Sequence, residues 1–258
     1  MLLRYVREYI TLPVISGLVA VLVLALLMEF VFSSAAVRPE EIIISIPEGK
    51  TASEINSILQ DAGILRAGAS LFSVSRDLEG YLFPDTYRFF ASSTASVVVE
   101  KFIANFKDKG EPLLRRDVRN FQRNLILASL VEKEVLGFED RKIVAGILIK
   151  RLSIGMPLQV DATLCYIKLY ANSDVDPSGK RCYPITKADK TVDSSYNTYL
   201  YKGLPTGPIA NPGQEAILAV LEAKETPYWF YLNDPLTGRT VFSRTLEEHN
   251  SARRLYLN

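Results

Sequence analysis

The sequence predicts an α+β fold behind an N-terminal transmembrane helix. Three observations carry that expectation: a long apolar stretch near the start, helical stripes opened by recognisable caps, and two β-rich runs near the end flanking a turn. Leu12 to Phe32 is almost wholly apolar, with Glu29 its only charge, and about twenty residues is the length a helix needs to cross the hydrocarbon of a bilayer. Arg4 and Arg7 precede it, so residues 1–11 are expected in the cytoplasm and the chain beyond the span outside it. Small residues at Ser33-Ser-Ala-Ala36 offer a cleavage site as the alternative. The apolar stretch is longer than a signal-peptide core, which favours an uncleaved single-pass anchor. Residues 33–41 read as a linker.

The elements that follow each have a local cause. Ile42-Ile-Ile-Ser-Ile46 is a β-rich run, and Pro47-Glu-Gly-Lys50 turns the chain. Thr51 and Glu54 form a capping box ahead of a short helix with Ile55, Ile58 and Leu59 on one stripe, closed by Gly63. Tyr81, Phe83, Tyr87 and Phe89 alternate with other residues, as in a core strand; a sugar-stacking platform is the other reading. Ser93 or Thr94 caps a helix whose face carries Val98, Phe102 and Phe106. A helix through Leu125–Val135 ends at Gly137, and Asp140 is expected to cap the next one, which carries Ile143, Ile147 and Leu148 to about Leu152. From Gly155 to Pro212 the chain is rich in Gly, Pro, Tyr, Asn and Thr. A weakly periodic stretch of that length inside a domain is usually functional. Asn211-Pro-Gly restarts a helix, with Asn211 as N-cap, running to about Glu225. Tyr228–Leu232 and Thr240–Phe242 pair around Asp234-Pro-Leu-Thr-Gly238, and Thr245 with Glu248 forms a second capping box for the last helix.

Within the helix through Leu125–Val135, Glu134 shares a stripe with Val131, Leu130 and Leu127. Burial there disfavours the charged carboxylate and raises its pKa, as a group that must protonate a leaving oxygen requires. Glu132 points to roughly the opposite side, with Leu125, Ala128, Ser129 and Leu136. The bland alternative for either residue is a solvated side chain or half of an ion pair.

Composition narrows the chemistry. Thirty basic and 29 acidic residues leave a net charge of +1, with no patch dense enough for nucleic acid. One His and two Cys do not make a structural zinc site, and no glycine-rich phosphate loop is present, so neither a metal nor another cofactor is expected. Cys165 and Cys182, on the oxidising side of a membrane, form either one disulfide or two buried thiols.

Six ordered motifs add a resemblance. Glu79-Gly-Tyr-Leu-Phe-Pro-Asp-Thr-Tyr-Arg-Phe89, Leu127-Ala-Ser-Leu-Val-Glu-Lys-Glu134, Arg151-Leu-Ser-Ile-Gly-Met-Pro-Leu-Gln159 with Asp161, Thr163 and Tyr166, Ser195-Tyr-Asn-Thr-Tyr199, Gly203–Gly213, and Phe242-Ser with Glu248-His-Asn250 together resemble the MltG/YceG-like family of endolytic murein transglycosylases. The chain departs from the family pattern at Lys150, Val160, Ala162 and Thr240, and its segment before Glu79 is shorter than usual. The resemblance implies a small reduced LysM-like unit over residues 42–78 and an α+β YceG-like catalytic domain over 79–258.

It further implies an enzyme in the bacterial cytoplasmic membrane that cuts peptidoglycan strands internally between N-acetylmuramic acid and N-acetylglucosamine, without water, leaving 1,6-anhydro ends and so terminating strand elongation. The partners it implies are glycan strands and, through the membrane helix, the glycan-polymerising machinery. Glu134 matches the catalytic position, with Glu132 as the fallback. Gln159, Asp161, Thr163, Tyr196, Asn197, Thr198 and Tyr199 are the expected substrate-binding residues. Pro205, Gly207, Asn211, Pro212 and Gly213 are expected to shape the loop. His249 reads equally as catalytic or structural. Two other readings compete: a catalytically impaired peptidoglycan-binding or scaffold protein of the same fold, and a glycoside hydrolase pairing Glu134 with a second acid such as Asp161.

Overall fold

Alternation along the first β-run sets the first core. Ile42 and Ile44 of β1 (Glu41–Ser45) turn inward while Ile43 is exposed, and β1 pairs antiparallel with β2 (Thr86–Phe90), placing Ile42 opposite Phe89 and Ile44 opposite Tyr87. This is a computed structural model, and it describes residues 16–26, 28, 40–75, 77–171, 182 and 184–257. The chain divides into two units, residues 1–40 and 41–258. In the first, residues 16–26 are helical and exposed; the rest of the expected span, except residue 28, and residues 1–11 and 33–39 lie outside the described residues. Among the described residues no helix is long and apolar enough to cross a membrane.

In the second unit, α1 (Ala52–Asp61) opens on the expected capping box: the Thr51 hydroxyl accepts the Glu54 N–H, and the Glu54 carboxylate accepts the Thr51 N–H. Gly63, at φ +68°, turns the chain back behind it. Thr94 rather than Ser93 caps α2 (Ala95–Asn105). The first core packs Ile55 and Leu59 of α1 against Tyr87, Phe89, Val98 and Phe102, drawing residues from both sides of residue 78. Phe83, Tyr87 and Phe89 are buried there or in the adjoining core, so these three are core residues, while Tyr81 is half-buried against the second core.

After an irregular helical stretch over residues 106–120, α3 (Phe121–Glu134) enters the second core. Every residue from Asn124 to Val131 is buried, so this helix is covered on all sides rather than along one stripe. It packs with α4 (Phe138–Ser153) and α6 (Gln214–Leu221) through Leu127, Leu130, Val144, Leu148 and Ile217. Val135 is extended (φ −145°, ψ 152°), which makes Glu134 the last helical residue.

Several boundaries differ from the sequence reading, among them the end of α3, which falls at Glu134 rather than Gly137. The N-cap of α4 is Gly137, and Asp140 sits with Glu139 in the first turn, where acidic side chains favour the helix dipole. α6 starts after Gly213, because the Asn211 side chain is engaged elsewhere: it accepts the Leu82 N–H (2.8 Å) and donates to the Lys50 carbonyl (2.9 Å) and Glu79 (3.0 Å). It also ends at Leu221, earlier than expected, and Lys224 N–H goes to the Lys142 carbonyl. Asn211 thus ties the first core to the second.

The predicted hairpin is β3 (Phe230–Asn233) and β4 (Thr240–Ser243), antiparallel, with Asp234 holding the turn by accepting from Leu236 N–H and the Thr237 hydroxyl. α7 (Leu246–Tyr256) begins at Thr245, whose hydroxyl accepts the Glu248 N–H; the Glu248 carboxylate reaches the Arg244 N–H, one residue before the box position.

Candidate active site

Glu134 opens onto a cavity of about 850 Å³. The end of α3 forms one side. Gln159 and Asp161, at the start of α5 (Asp161–Tyr166), form another. The hairpin contributes Phe230, Tyr231 and Asn233, and α7 contributes His249, Asn250 and Arg253. The Asn233 amide donates to the Glu134 carbonyl at 2.5 Å, fixing the helix end against β3.

Burial raises the Glu134 carboxyl from its ordinary 4.5 to about 7. A hydrogen bond from the Tyr231 hydroxyl opposes the shift, the charge of Asp161 adds to it, and the Ala162 N–H and Arg151 oppose it. A carboxyl with a pKa near neutrality, facing a cavity, can both give and take a proton. Burial and the neighbouring Glu134 push the Tyr231 phenol up, so it stays a neutral donor.

The other carboxyl of the cavity, Asp161, accepts a short hydrogen bond from the Tyr199 hydroxyl. The N–H of Gln159 donates to the Thr198 carbonyl, and its backbone has φ +53°, a conformation rare for a residue with a side chain. That turn aims the chain from Leu158 into α5.

Of the seven residues expected to bind substrate, Gln159, Asp161 and Tyr199 line the cavity. Three others are buried, and their polar atoms meet protein partners. Thr163 bonds the Val160 carbonyl and the Thr198 hydroxyl; Thr198 also accepts the Val160 N–H; Asn197 bonds the Lys190 and Val192 carbonyls and the Tyr199 N–H. Tyr196 packs on Tyr166 at 4.9 Å between ring centroids, beneath Gly207, where a Cβ would lie 2.9 Å from its hydroxyl. Pro205 and Pro212 are buried in the same loop. Gly213 gives its N–H to Glu132 at 3.0 Å.

The fallback residue has a different setting. Glu132 forms an ion pair with Arg141 at 2.7 Å, both side chains being only 5% exposed, and does not line the cavity. Cys165 and Cys182 form a disulfide with Cα atoms 5.1 Å apart, joining α5 to the segment that leads to Lys190.

Known proteins match most of the chain. Residues 23–255 match the model of the YceG-like family. The chain belongs to the YceG-like family. It is similar to the endolytic murein transglycosylase of Bacillus subtilis, 32% identical over 194 residues that cover 72% of this chain and 50% of that protein. It is similar also to the endolytic murein transglycosylase of Streptococcus pneumoniae, 32% identical over 177 residues covering 67% of this chain and 31% of that one. This YceG-like chain therefore spans about half the length, or less, of the curated relatives it matches. The crystal structure of a YceG-like protein from Listeria monocytogenes superposes with a TM-score of 0.66 at 28% identity, covering 81% of this chain and 75% of that one.

The sequence reading did not single out several cavity residues of this YceG-like chain, chief among them Arg151, Phe230 and Tyr231. Arg151 is buried, stands over the Phe230 ring, and donates to the carbonyls of Leu158 (2.6 Å) and Trp229 (3.0 Å), clamping the α5 approach to the hairpin. A signal for it existed. Val144, Leu148 and Arg151 fall on one helical stripe, so an arginine interrupts an apolar face just as Glu134 does. Tyr231 had no such signal, because a tyrosine in a strand is ordinary.

Proposed function

We propose that this chain is an endolytic peptidoglycan lytic transglycosylase with Glu134 as its single acid and base. The observation that carries the reading is the Glu134 carboxyl, held near pKa 7 at the wall of an 850 Å³ cavity and hydrogen-bonded by a tyrosine that stays neutral. Protonated Glu134 gives its proton to the glycosidic oxygen between N-acetylmuramic acid and N-acetylglucosamine as the bond to the muramyl anomeric carbon breaks. The muramyl 6-hydroxyl oxygen then bonds to that carbon, and its proton returns to the Glu134 carboxylate. The products are a 1,6-anhydro end and a free 4-hydroxyl, and no water is consumed. Asp161 and the Tyr231 hydroxyl flank the reacting carboxyl and suit the positive charge that develops on the sugar ring and the proton that moves.

The names of the relatives support the substrate, and the apolar run 12–32 with Arg4 and Arg7 before it supports a single-pass anchor with the N-terminus in the cytoplasm. On this reading the enzyme trims nascent strands beside the glycan-polymerising machinery and ends their elongation.

Asp161, sharing the cavity with Glu134, favours a second reading: a two-carboxylate hydrolase. Mass spectrometry of glycan strands incubated with the full chain separates the readings. Anhydro-muramyl ends are expected. Reducing muramyl ends would establish the hydrolase, and intact strands that still bind would establish a scaffold.

A further inference from the structure

The cavity holding Glu134 carries more positive than negative charge. Its described lining contains Lys133, Arg151, Lys190 and Arg253 against the carboxyls of Glu134 and Asp161. With a pKa of about 7, Glu134 is only a partial anion at neutral pH. Two of the cations are committed to the fold: Arg151 to the carbonyls of Leu158 and Trp229, and Lys133 to the Gly49 carbonyl at 3.1 Å. The other two are not. The Lys190 ammonium stands 4.5 Å over the Tyr199 ring, and Arg253 is exposed on α7; among the described residues neither pairs with a carboxylate. By contrast, Arg141, Lys142 and Lys224 around α4 each meet one.

A third group marks the same wall. The His249 ring stacks on Phe230 (5.3 Å, 23° between planes), and its Nδ1 is buried with no hydrogen-bond partner among the described residues. An orphaned buried nitrogen next to a cavity carries a desolvation cost that a ligand could remove. Burial, then Arg253 and Arg151, lowers the His249 pKa, so the imidazole is neutral at pH 7 and can accept or donate. Asn250 lines the cavity beside it.

We propose that Lys190 and Arg253, with His249 and Asn250 beside Arg253, form a subsite for a carboxylate-bearing substituent on the glycan, such as a muramyl lactyl carboxylate or the carboxylates of a peptide attached to it. The inference rests on the transglycosylase reading for the glycan. Unpaired cations at a cavity rim recruit and select anionic ligands, and the effect weakens with salt.

Equilibrium binding to the full chain carrying Glu134→Gln, which keeps strands uncut, tests the subsite. Three ligands are compared: peptide-bearing strands, strands stripped of peptide so that only the lactyl carboxylate remains, and peptide-bearing strands whose carboxylates have been amidated. The carboxylate-bearing strands should bind about tenfold more tightly than the amidated ones at low salt, as expected for one charged hydrogen bond gained. Whichever of the two binds more tightly identifies the source of the carboxylate. Adding Lys190→Gln and Arg253→Gln should bring the ratio towards one, and raising salt should do the same. If neither carboxylate-bearing strand binds more tightly than the amidated one, or if a preference survives the double substitution, the subsite alone is overturned. Failure of every strand to bind overturns both the subsite and the transglycosylase reading.

Discussion

Glu132 and Glu134 sit two residues apart on the last turn of the same helix, and the fold gives them opposite surroundings. Glu132 turns into the junction of the two cores, where Arg141 and the Gly213 N–H take its oxygens. Glu134 turns into a cavity, where a tyrosine hydroxyl and a neighbouring aspartate act on it. Burial raises the pKa of both. What separates them is the space in front of the oxygens: Glu132 is answered by the protein, whereas Glu134 faces volume a sugar can fill. Burial of a carboxyl is thus the shared starting point, and access decides its use.

The strongest test of the contrast removes each carboxyl in turn. Glu134→Gln should lower strand cleavage by roughly a thousandfold, the scale of losing a general acid and base, without loss of fold. Glu132→Ala should instead cost about 3 kcal/mol of stability, because it leaves the Arg141 guanidinium and the Gly213 N–H without their partner. For a chain of this size that is a fall in melting temperature of roughly 6–12 °C. Thermal melts and product analysis on both variants check the pair. Inactive Glu132→Ala with unchanged melting, alongside active Glu134→Gln, would reverse the roles.

The pH profile sharpens the comparison further. Glu134 must start protonated, so cleavage should fall as pH rises through about 7. The charge of Asp161 raises that pKa and the Tyr231 hydrogen bond lowers it. Asp161→Asn should therefore move the alkaline limb to lower pH, and Tyr231→Phe should move it to higher pH. Steady-state rates across pH 5–9 measure both shifts; a limb that moves in the same direction for both variants would contradict the assignment.

How much of this was readable from the chain depends on how local each cause was. The capping box at Thr51, the cap at Thr94 and the hairpin around Asp234 were legible because each is fixed within a few residues. The pairing of β1 with β2 was not, since its partners lie some forty residues apart and nothing near Ile44 names Tyr87. The apolar stripe that Glu134 shares is an incomplete reason for its setting. α3 is buried on every side from Asn124 to Val131, so an apolar stripe does not separate the two glutamates, and Leu136, grouped with Glu132, is 84% exposed. The end of the helix and the hairpin facing it make the difference. Asn211 looked like a cap because its sequence neighbours are those of a cap; its side chain is instead taken by Lys50, Glu79 and Leu82, which are distant in sequence. The same remoteness hid Thr163 and Thr198, which bond each other across 35 residues, whereas Asn197 is taken by the nearby Lys190 and Val192 carbonyls of its own loop.

A third carboxyl gives the smallest and most discriminating test. Glu79 is more strongly shifted than Glu134, raised by burial to about 8, yet it does not line the cavity. Its oxygens accept the Ala52 N–H at the start of α1 and the Asn211 amide, each at 3.0 Å, at the junction of the two cores. A search by pKa alone would choose it over Glu134, so its behaviour separates burial from function. Its folded pKa lies above the ordinary 4.5, so the folded state holds a proton that the unfolded chain releases. The stability this gives is full below about pH 4.5 and is lost as pH rises through about 8. Glu79→Gln keeps a neutral acceptor in the same place. It should leave melting nearly unchanged at about pH 4.5 and flatten the decline above it, so that the variant melts increasingly above the parent up to about pH 8. Cleavage measured at pH 7 should be retained. Melting curves that fall in parallel from pH 6 to 9 would show that Glu79 is not the protonated group, and lost cleavage with an intact fold would show that the junction reaches the cavity.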